Sequence, residues 1–148
     1  CIYILYIQTN FTGYLILMPE ITIIDDEAQI ANLLSEIGKM AGYKTRFYTE
    51  ARHFLKDTLP DGETEKKEAD IIFLDLSMPD IDGIEVISEL GKRQCQSTIF
   101  LMSGFDRELL NSAKHLAVEY GLNIIETINK PMDVSYLTTR LKELKDSF

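Results

Sequence analysis

A chain of 148 residues with 45% hydrophobic side chains can bury one sizeable core and has no room for two ordinary domains. Its formal net charge of -9, without a Lys/Arg cluster long enough to track a phosphate backbone, argues against direct nucleic-acid binding and leaves proteins or small anions as partners. Two cysteines, Cys1 and Cys95, give neither a zinc spacing nor a disulfide framework, which suits a reducing compartment and a cytoplasmic location.

The opening stretch CIYILYIQTNFTGYLIL, residues 1–17, is apolar and aromatic but carries Gln8, Thr9, Asn10 and Thr12 in its middle. It lacks a basic leader region and a small-residue cleavage site, so a signal peptide is not expected. Met18 stands just before a well-patterned strand. The folded domain is therefore expected over 18–146, with 1–17 an upstream extension and a membrane anchor as the alternative reading of that prefix.

From Glu20 the pattern alternates. EITIID predicts a short buried strand, and Ile30, Leu33, Leu34, Ile37 and Met40 predict the apolar face of a helix that stops at Gly42. YKTRFYT is a second strand and EARHFLKDTL a short helix with Ala51, Phe54 and Leu55 on one side. The polar run PDGETEKKEA reads as a surface loop. DIIFLDLS is the third strand, broken by Met78-Pro79; Asp80 and Asp82 read as turn formers before a helix from Gly83 to Lys92. STIFLMS is the fourth strand. Asp106 is placed to cap a helix with Leu109, Leu110, Ala113, Leu116, Ala117 and Tyr120 on its apolar face, ending at Gly121. NIIETINK is the fifth strand, and Val134, Leu137, Leu141 and Leu144 mark the last helix. His53 and His115 fall on helices without partners at ligand spacing.

Strands that alternate with helices imply right-handed crossovers and a parallel sheet covered on both faces, a doubly wound α/β sandwich. In such folds ligands bind at the carboxyl ends of the strands. Those ends carry Asp25-Asp26, Asp75, Ser103-Gly104 and Lys130-Pro131. Three carboxylates gathered there would raise one another's pKa unless a cation neutralised them, and a small set of oxygen ligands with room for water suits Mg²⁺ better than zinc. Lys130 and Ser103 would add a point charge and a hydroxyl donor, which is what an incoming phosphoryl group needs. Taken singly, Asp25 and Asp26 could cap the first helix, Asp75 could be a solvating strand end, Ser103 a turn residue and Lys130 a surface lysine. It is their joint placement that points to phosphoryl chemistry.

Asp25-Asp26, Asp75 with Met78-Pro79 and Asp82-Gly83, Ser103-Gly104 and Lys130-Pro131 together resemble the receiver domain of bacterial two-component response regulators, over about Met18 to Leu144. The resemblance implies a flavodoxin-like five-stranded parallel sheet of order 2-1-3-4-5 with five helices. It implies Asp75 as phosphoacceptor from a phosphohistidine on a sensor histidine kinase or phosphotransfer protein. Asp25, Asp26, Asp75 and the Ser77 backbone carbonyl would hold Mg²⁺, Lys130 would pair with phosphoryl oxygens or with Asp75, and Ser103 would hydrogen-bond the acyl phosphate. A cis bond is implied at Lys130-Pro131. The face made by the fourth helix, fifth strand and fifth helix is where an output domain or protein partner would dock, and the resemblance leaves homodimerisation open.

Two positions depart from the family pattern. Thr127 stands where receivers often carry an aromatic that relays the signal, so movement of the loop around Ser103 to Phe105 is the expected alternative relay. Phe105 occupies a position that controls access of water to the acyl phosphate, and its ring is expected to slow self-dephosphorylation. The run SGFDRELLNSAKHLAVEYGLNIIETINKPM further resembles receivers joined to EAL-type cyclic-di-GMP phosphodiesterases, although nothing in the chain supplies that chemistry. The expected molecule is a stand-alone receiver or an excerpt of a longer regulator, which catalyses only its own modification. The alternatives are a phosphohydrolase of the haloacid-dehalogenase type and a degenerate receiver that only binds proteins. The first would require a second acid where Ser77 stands; the intact Asp25-Asp26, Asp75 and Lys130 oppose the second.

Overall fold

The computed structural model describes residues 7–9, 15–58, 68–79, 81–104 and 106–148. Phe105, Asp80, most of the polar loop at 60–69 and residues 1–6 and 10–14 of the prefix lie outside the described residues. Two short strands, β1 (Ile7–Thr9) and β2 (Leu15–Leu17), pair antiparallel as a separate two-stranded sheet. No helix among the described residues is long and apolar enough to cross a membrane.

The main sheet holds β3 (Glu20–Ile24), β4 (Lys44–Tyr48), β5 (Ile71–Asp75), β6 (Thr98–Ser103) and β7 (Asn123–Asn129) in the order β4-β3-β5-β6-β7, every pair parallel. Counted within this sheet, the order is 2-1-3-4-5, as expected. Successive strands are joined by α1 (Ala28–Met40), α2 (Ala51–Asp57), α3 (Gly83–Lys92) and α4 (Arg107–Glu119), and α5 (Val134–Lys145) closes the fold. Alternation along each strand sorts its side chains to two faces. Ile21, Ile23, Ile71, Phe73, Phe100 and Met102 pack with Ala31, Leu34 and Ile37 of α1 and Leu137 and Leu141 of α5. Ile24, Ile72, Leu74, Ile99 and Leu101 pack with residues of α2, α3 and α4. Every residue of β5 is buried because both of its faces are covered.

Two helices differ from their expected faces. On α1, Leu33 and Met40 are 40% and 68% exposed, and the buried seam is Ala31, Leu34, Ser35, Ile37 and Gly38. At 3.6 residues per turn Leu33 lies about a quarter-turn from Leu34, so Leu34 and Ile37 meet the sheet together with small neighbours while Leu33 turns outward. On α5, Val134 in the first turn is exposed while Leu137 and Leu141 are buried. Asp82 does more than form a turn: it is the N-cap of α3, accepting from the Glu85 amide at 2.8 Å.

β7 carries an irregularity. Ile99 pairs with Ile124 but Phe100 pairs with Glu126, so Ile125 is an extra residue in the edge strand. The bulge leaves Thr127 opposite Leu101 and Ile128 opposite Met102. Thr127 is thereby assigned to the sheet face covered by α4, and Glu126 to the face covered by α5.

Gly83 fixes how α3 starts beneath the end of β5. A Cβ there would lie 2.6 Å from the Leu76 Cα and 3.0 Å from the Asp75 carbonyl oxygen, both backbone atoms that have nowhere to go. Gly83→Ala is therefore expected to lower stability by about 1–3 kcal/mol, as overpacking typically does, despite alanine's better helix propensity. Urea unfolding of the two proteins at equal pH measures the difference.

Candidate functional site

Backbone hydrogen bonds carry the sheet's register one step past the strands. The Asp25 amide donates to the Tyr48 carbonyl at 3.1 Å, the Leu76 amide to the Met102 carbonyl at 3.0 Å, and the Lys130 amide to the Ser103 carbonyl at 3.1 Å. Ile24 pairs with Leu74, so Asp25 emerges beside Asp75. Residues far apart in sequence are thus held at one edge by main-chain geometry.

The three aspartates meet there. One carboxylate oxygen from each of Asp25, Asp26 and Asp75 lies within 4.8 Å of the others. Asp25 and Asp75 are 0% and 1% exposed, and Asp26 is the most open of the three. The Lys130 ammonium sits among them, 2.8 Å from Asp25 Oδ2 and 3.2 Å from Asp75 Oδ2. The remaining oxygens have backbone donors: Asp25 Oδ1 accepts from the Glu27 amide at 2.9 Å, and Asp75 Oδ1 from the Ser77 amide at 3.0 Å. Neither aspartate serves as the N-cap of α1; Glu27 occupies that position. The Lys130-Pro131 bond is cis.

The electrostatics follow from burial. Withdrawal from water raises the Asp25 pKa, an effect opposed by the Lys130 hydrogen bond. Burial also raises Asp26, and the neighbouring Asp75 charge adds to the rise. For Lys130 burial acts downward, but hydrogen bonding toward Asp25 and the charges of Asp75 and Asp25 outweigh it and hold the lysine above its ordinary value.

An all-oxygen donor set of this kind, partly buried and with one open member, fits a hard divalent cation. A second feature stands at the same edge. The Ser103 hydroxyl is buried, and its oxygen has no hydrogen-bond partner among the described residues. Such an orphan is costly unless something occupies its donor or acceptor in a working state. Ser103 also lines an open cleft with Gly104, Asp106, Arg107, Leu110 and Asn129.

The structure thus brings together Asp25, Asp26, Asp75 and Lys130, and places Ser103 and Ser77 on the same edge. Thr127 is half-buried within β7, away from the cluster, and His53 and His115 lie on exposed helix surfaces. Sequence reasoning missed Glu27, whose Oε1 is 3.1 Å from Lys130 Nζ. The only signal available was its position directly after the acid pair, where an acid is ordinarily taken for a helix cap.

Residues 21–142 match the family model described as response regulator receiver domain. Among curated proteins, the chain is 30% identical over 125 residues to the alkaline phosphatase synthesis transcriptional regulatory protein PhoP of Bacillus subtilis, covering 84% of this chain and 48% of that protein. It is 28% identical over 123 residues to the transcriptional regulatory protein FixJ of Bradyrhizobium diazoefficiens, covering 82% and 54%. The chain thus spans about half the length of these two relatives. Among solved structures, a response regulator from Colwellia psychrerythraea is similar with a TM-score of 0.74 and 36% identity, over 88% of this chain and 99% of that one. A CheY-like receiver domain protein from Methanospirillum hungatei, 21% identical with a TM-score of 0.68 over 88% and 95%, shares the fold.

The raised carboxyls set a pH dependence. A carboxyl whose pKa is higher folded than unfolded favours the folded state while protonated, and that contribution is lost as pH rises through the folded pKa. Without metal, Asp26→Asn should therefore raise the melting temperature at pH 7, with the gain shrinking as pH falls toward the unfolded carboxyl pKa of about 3.9. Divalent cation should stabilise the wild type more than the variant. Thermal melts across pH, with and without the ion, test both statements.

Proposed function

The chain belongs to the response regulator receiver domain family, and from that premise we propose that it is a phosphorylation-switched interaction module whose phosphoacceptor is Asp75. The observation that carries this reading is the Lys130 ammonium lodged between the buried carboxylates of Asp25 and Asp75 at one strand edge. A cation poised beside an acceptor carboxylate balances the charge that a phosphoryl group brings.

Asp25, Asp26 and Asp75, joined by the Ser77 carbonyl, are the residues that would hold Mg²⁺. That ion, when bound, supplies Lewis-acid neutralisation of phosphoryl oxygens and of the crowded carboxylates. The chain's own groups do the rest. An oxygen of Asp75 forms a bond to phosphorus as the bond from phosphorus to a donor histidine nitrogen breaks; the nitrogen keeps the electron pair and is left as neutral imidazole once its proton balance is restored. The Ser77 amide, bound to Asp75 Oδ1, fixes the rotamer of the acceptor. Lys130 exchanges its contact with the Asp75 carboxylate for phosphoryl oxygens, and the unpartnered Ser103 hydroxyl donates to another. Water later cleaves the acyl phosphate, so the module catalyses its own phosphorylation and dephosphorylation and turns over no external substrate.

The donor in this reading is a sensor histidine kinase or a phosphotransfer protein, in the cytoplasm. The domain would span 18–146, and the surface of α4, β7 and α5 would carry the signal to an output domain, a protein partner or a second copy. PhoP and FixJ are transcriptional regulators by name, and this chain corresponds to about half of each. Because Thr127 is too small to sweep a ring's volume, the relay is assigned to the loop that follows Ser103.

Incubation with Mg²⁺ and acetyl phosphate should add one phosphoryl group by intact mass, and Asp75→Asn should abolish it. Many turnovers of a phosphomonoester would instead indicate a phosphohydrolase, and no reaction of either kind a degenerate receiver. A second expectation concerns the relay: Thr127→Ala should keep the phosphorylation-dependent change in amide exchange over α4, and its complete loss would contradict a loop-based relay.

A further inference from the structure

An ammonium group has three N–H donors. The Lys130 ammonium lies within ion-pair reach of three carboxylates, Asp25 Oδ2 at 2.8 Å, Glu27 Oε1 at 3.1 Å and Asp75 Oδ2 at 3.2 Å, and it donates a hydrogen bond to the Glu27 oxygen. These partners differ in their other duties. Asp25 and Asp75 belong to the cluster of three acids suited to a divalent cation, and oxygens engaged there have less to offer an ammonium. Glu27 lies outside that cluster.

Glu27 is also free to do something else. It stands at the N-cap of α1, yet its side chain makes no capping hydrogen bond, whereas Asp82, Asp106 and Asp133 each cap their helices with a carboxylate. Its backbone is pinned by Asp25, whose Oδ1 accepts from the Glu27 amide at 2.9 Å. Its carboxylate forgoes the cap and reaches from α1 to the residue that follows β7, 103 positions along the chain. With 60% of its side chain exposed, against 16% for Lys130, it can follow the ammonium outward where the buried aspartates cannot.

We propose that Glu27 is the positioning residue for Lys130: its carboxylate keeps the ammonium at the mouth of the acidic cluster when Asp25 and Asp75 are otherwise engaged, and presents it to the incoming phosphoryl group. This rests on the receiver reading above. Without Glu27, Lys130 would either remain drawn down onto Asp25 and Asp75 or swing free into solvent, and in both cases binding of the anionic donor would weaken.

The sign of the effect separates this role from a simple field effect. Removing a negative charge near the site lowers repulsion of an anionic donor, so a field effect alone would lower the half-saturating acetyl phosphate concentration. Loss of a positioned charge-assisted hydrogen bond should instead raise it, by about fivefold in Glu27→Gln, with the maximal rate within about twofold of wild type. Glu27→Asp, which keeps the charge on a shorter arm, should fall between. In isotopically labelled wild type, a hydrogen-bond scalar coupling between Lys130 Nζ and Glu27 Cδ should be present with Mg²⁺ and persist with Mg²⁺ plus beryllofluoride. A half-saturation that falls or stays level in Glu27→Gln, or a coupling absent with Mg²⁺, overturns the proposal while normal phosphorylation of the wild type leaves the receiver reading standing. A wild type that accepts no phosphoryl group overturns both.

Discussion

The whole carboxyl edge depends on one cation placed among acids. Two unit charges of like sign within 5 Å repel by about 3–4 kcal/mol at the effective dielectric of a protein site, and Asp25 and Asp75 are both buried. Left alone, the pair would be costly to bury. Lys130 supplies the compensating charge from the far end of the chain, and its raised pKa is the counterpart of that attraction. In the structure the ammonium is the cation beside these carboxylates, and the same oxygens form a set that could hold a divalent ion.

That arrangement needs a scaffold that does not yield to repulsion. The parallel sheet provides it, because main-chain bonds continue beyond the strand ends at Asp25, Leu76 and Lys130. Behind the edge, the two hydrophobic clusters clamp the sheet on both faces, and the Phe73 and Phe100 rings stack at 4.7 Å in the cluster shared with α1 and α5. Asp75 is consequently an acid at the end of the most thoroughly buried strand, where apolar packing fixes its backbone and the edge alone admits a ligand.

On the opposite flank, the bulge at Ile125 decides which face each later residue of β7 occupies. It sends Glu126 to the α5 side, where Tyr136 donates to Glu126 Oε1 and the Arg140 Nε donates to Glu126 Oε2 at 3.4 Å. Thr127 is left on the α4 side, where it cannot fill or vacate much volume. A cleft lies between Ser103 and the first turn of α4, lined also by Gly104, Leu110 and Asn129.

The alternation of β-branched runs with helical periodicity made the doubly wound parallel sheet legible, since parallel neighbours joined by helices require right-handed crossovers; the strand order came only with the family resemblance. The acids, Ser103 and Lys130 were legible as a set for the same reason: strand ends in such a sheet share one edge. Leu34 and Ile37 of the expected α1 face are buried, but its edges were misjudged: periodicity marks the large residues Leu33 and Met40, while close approach to the sheet selects Ala31 and Gly38. Nor could spacing show the bulge, because Ile124 and Ile125 are both apolar and either alternation reads as a strand. The partnership of Glu27 with Lys130 was equally hidden, since a carboxylate at a helix start has a local explanation and the contact spans 103 residues. The sequence by itself determined which chemistry gathers at the edge, because side-chain type and strand periodicity are local properties of the chain. Only the tertiary structure decided which carboxylates surround Lys130, because that depends on distances between elements that no local pattern records.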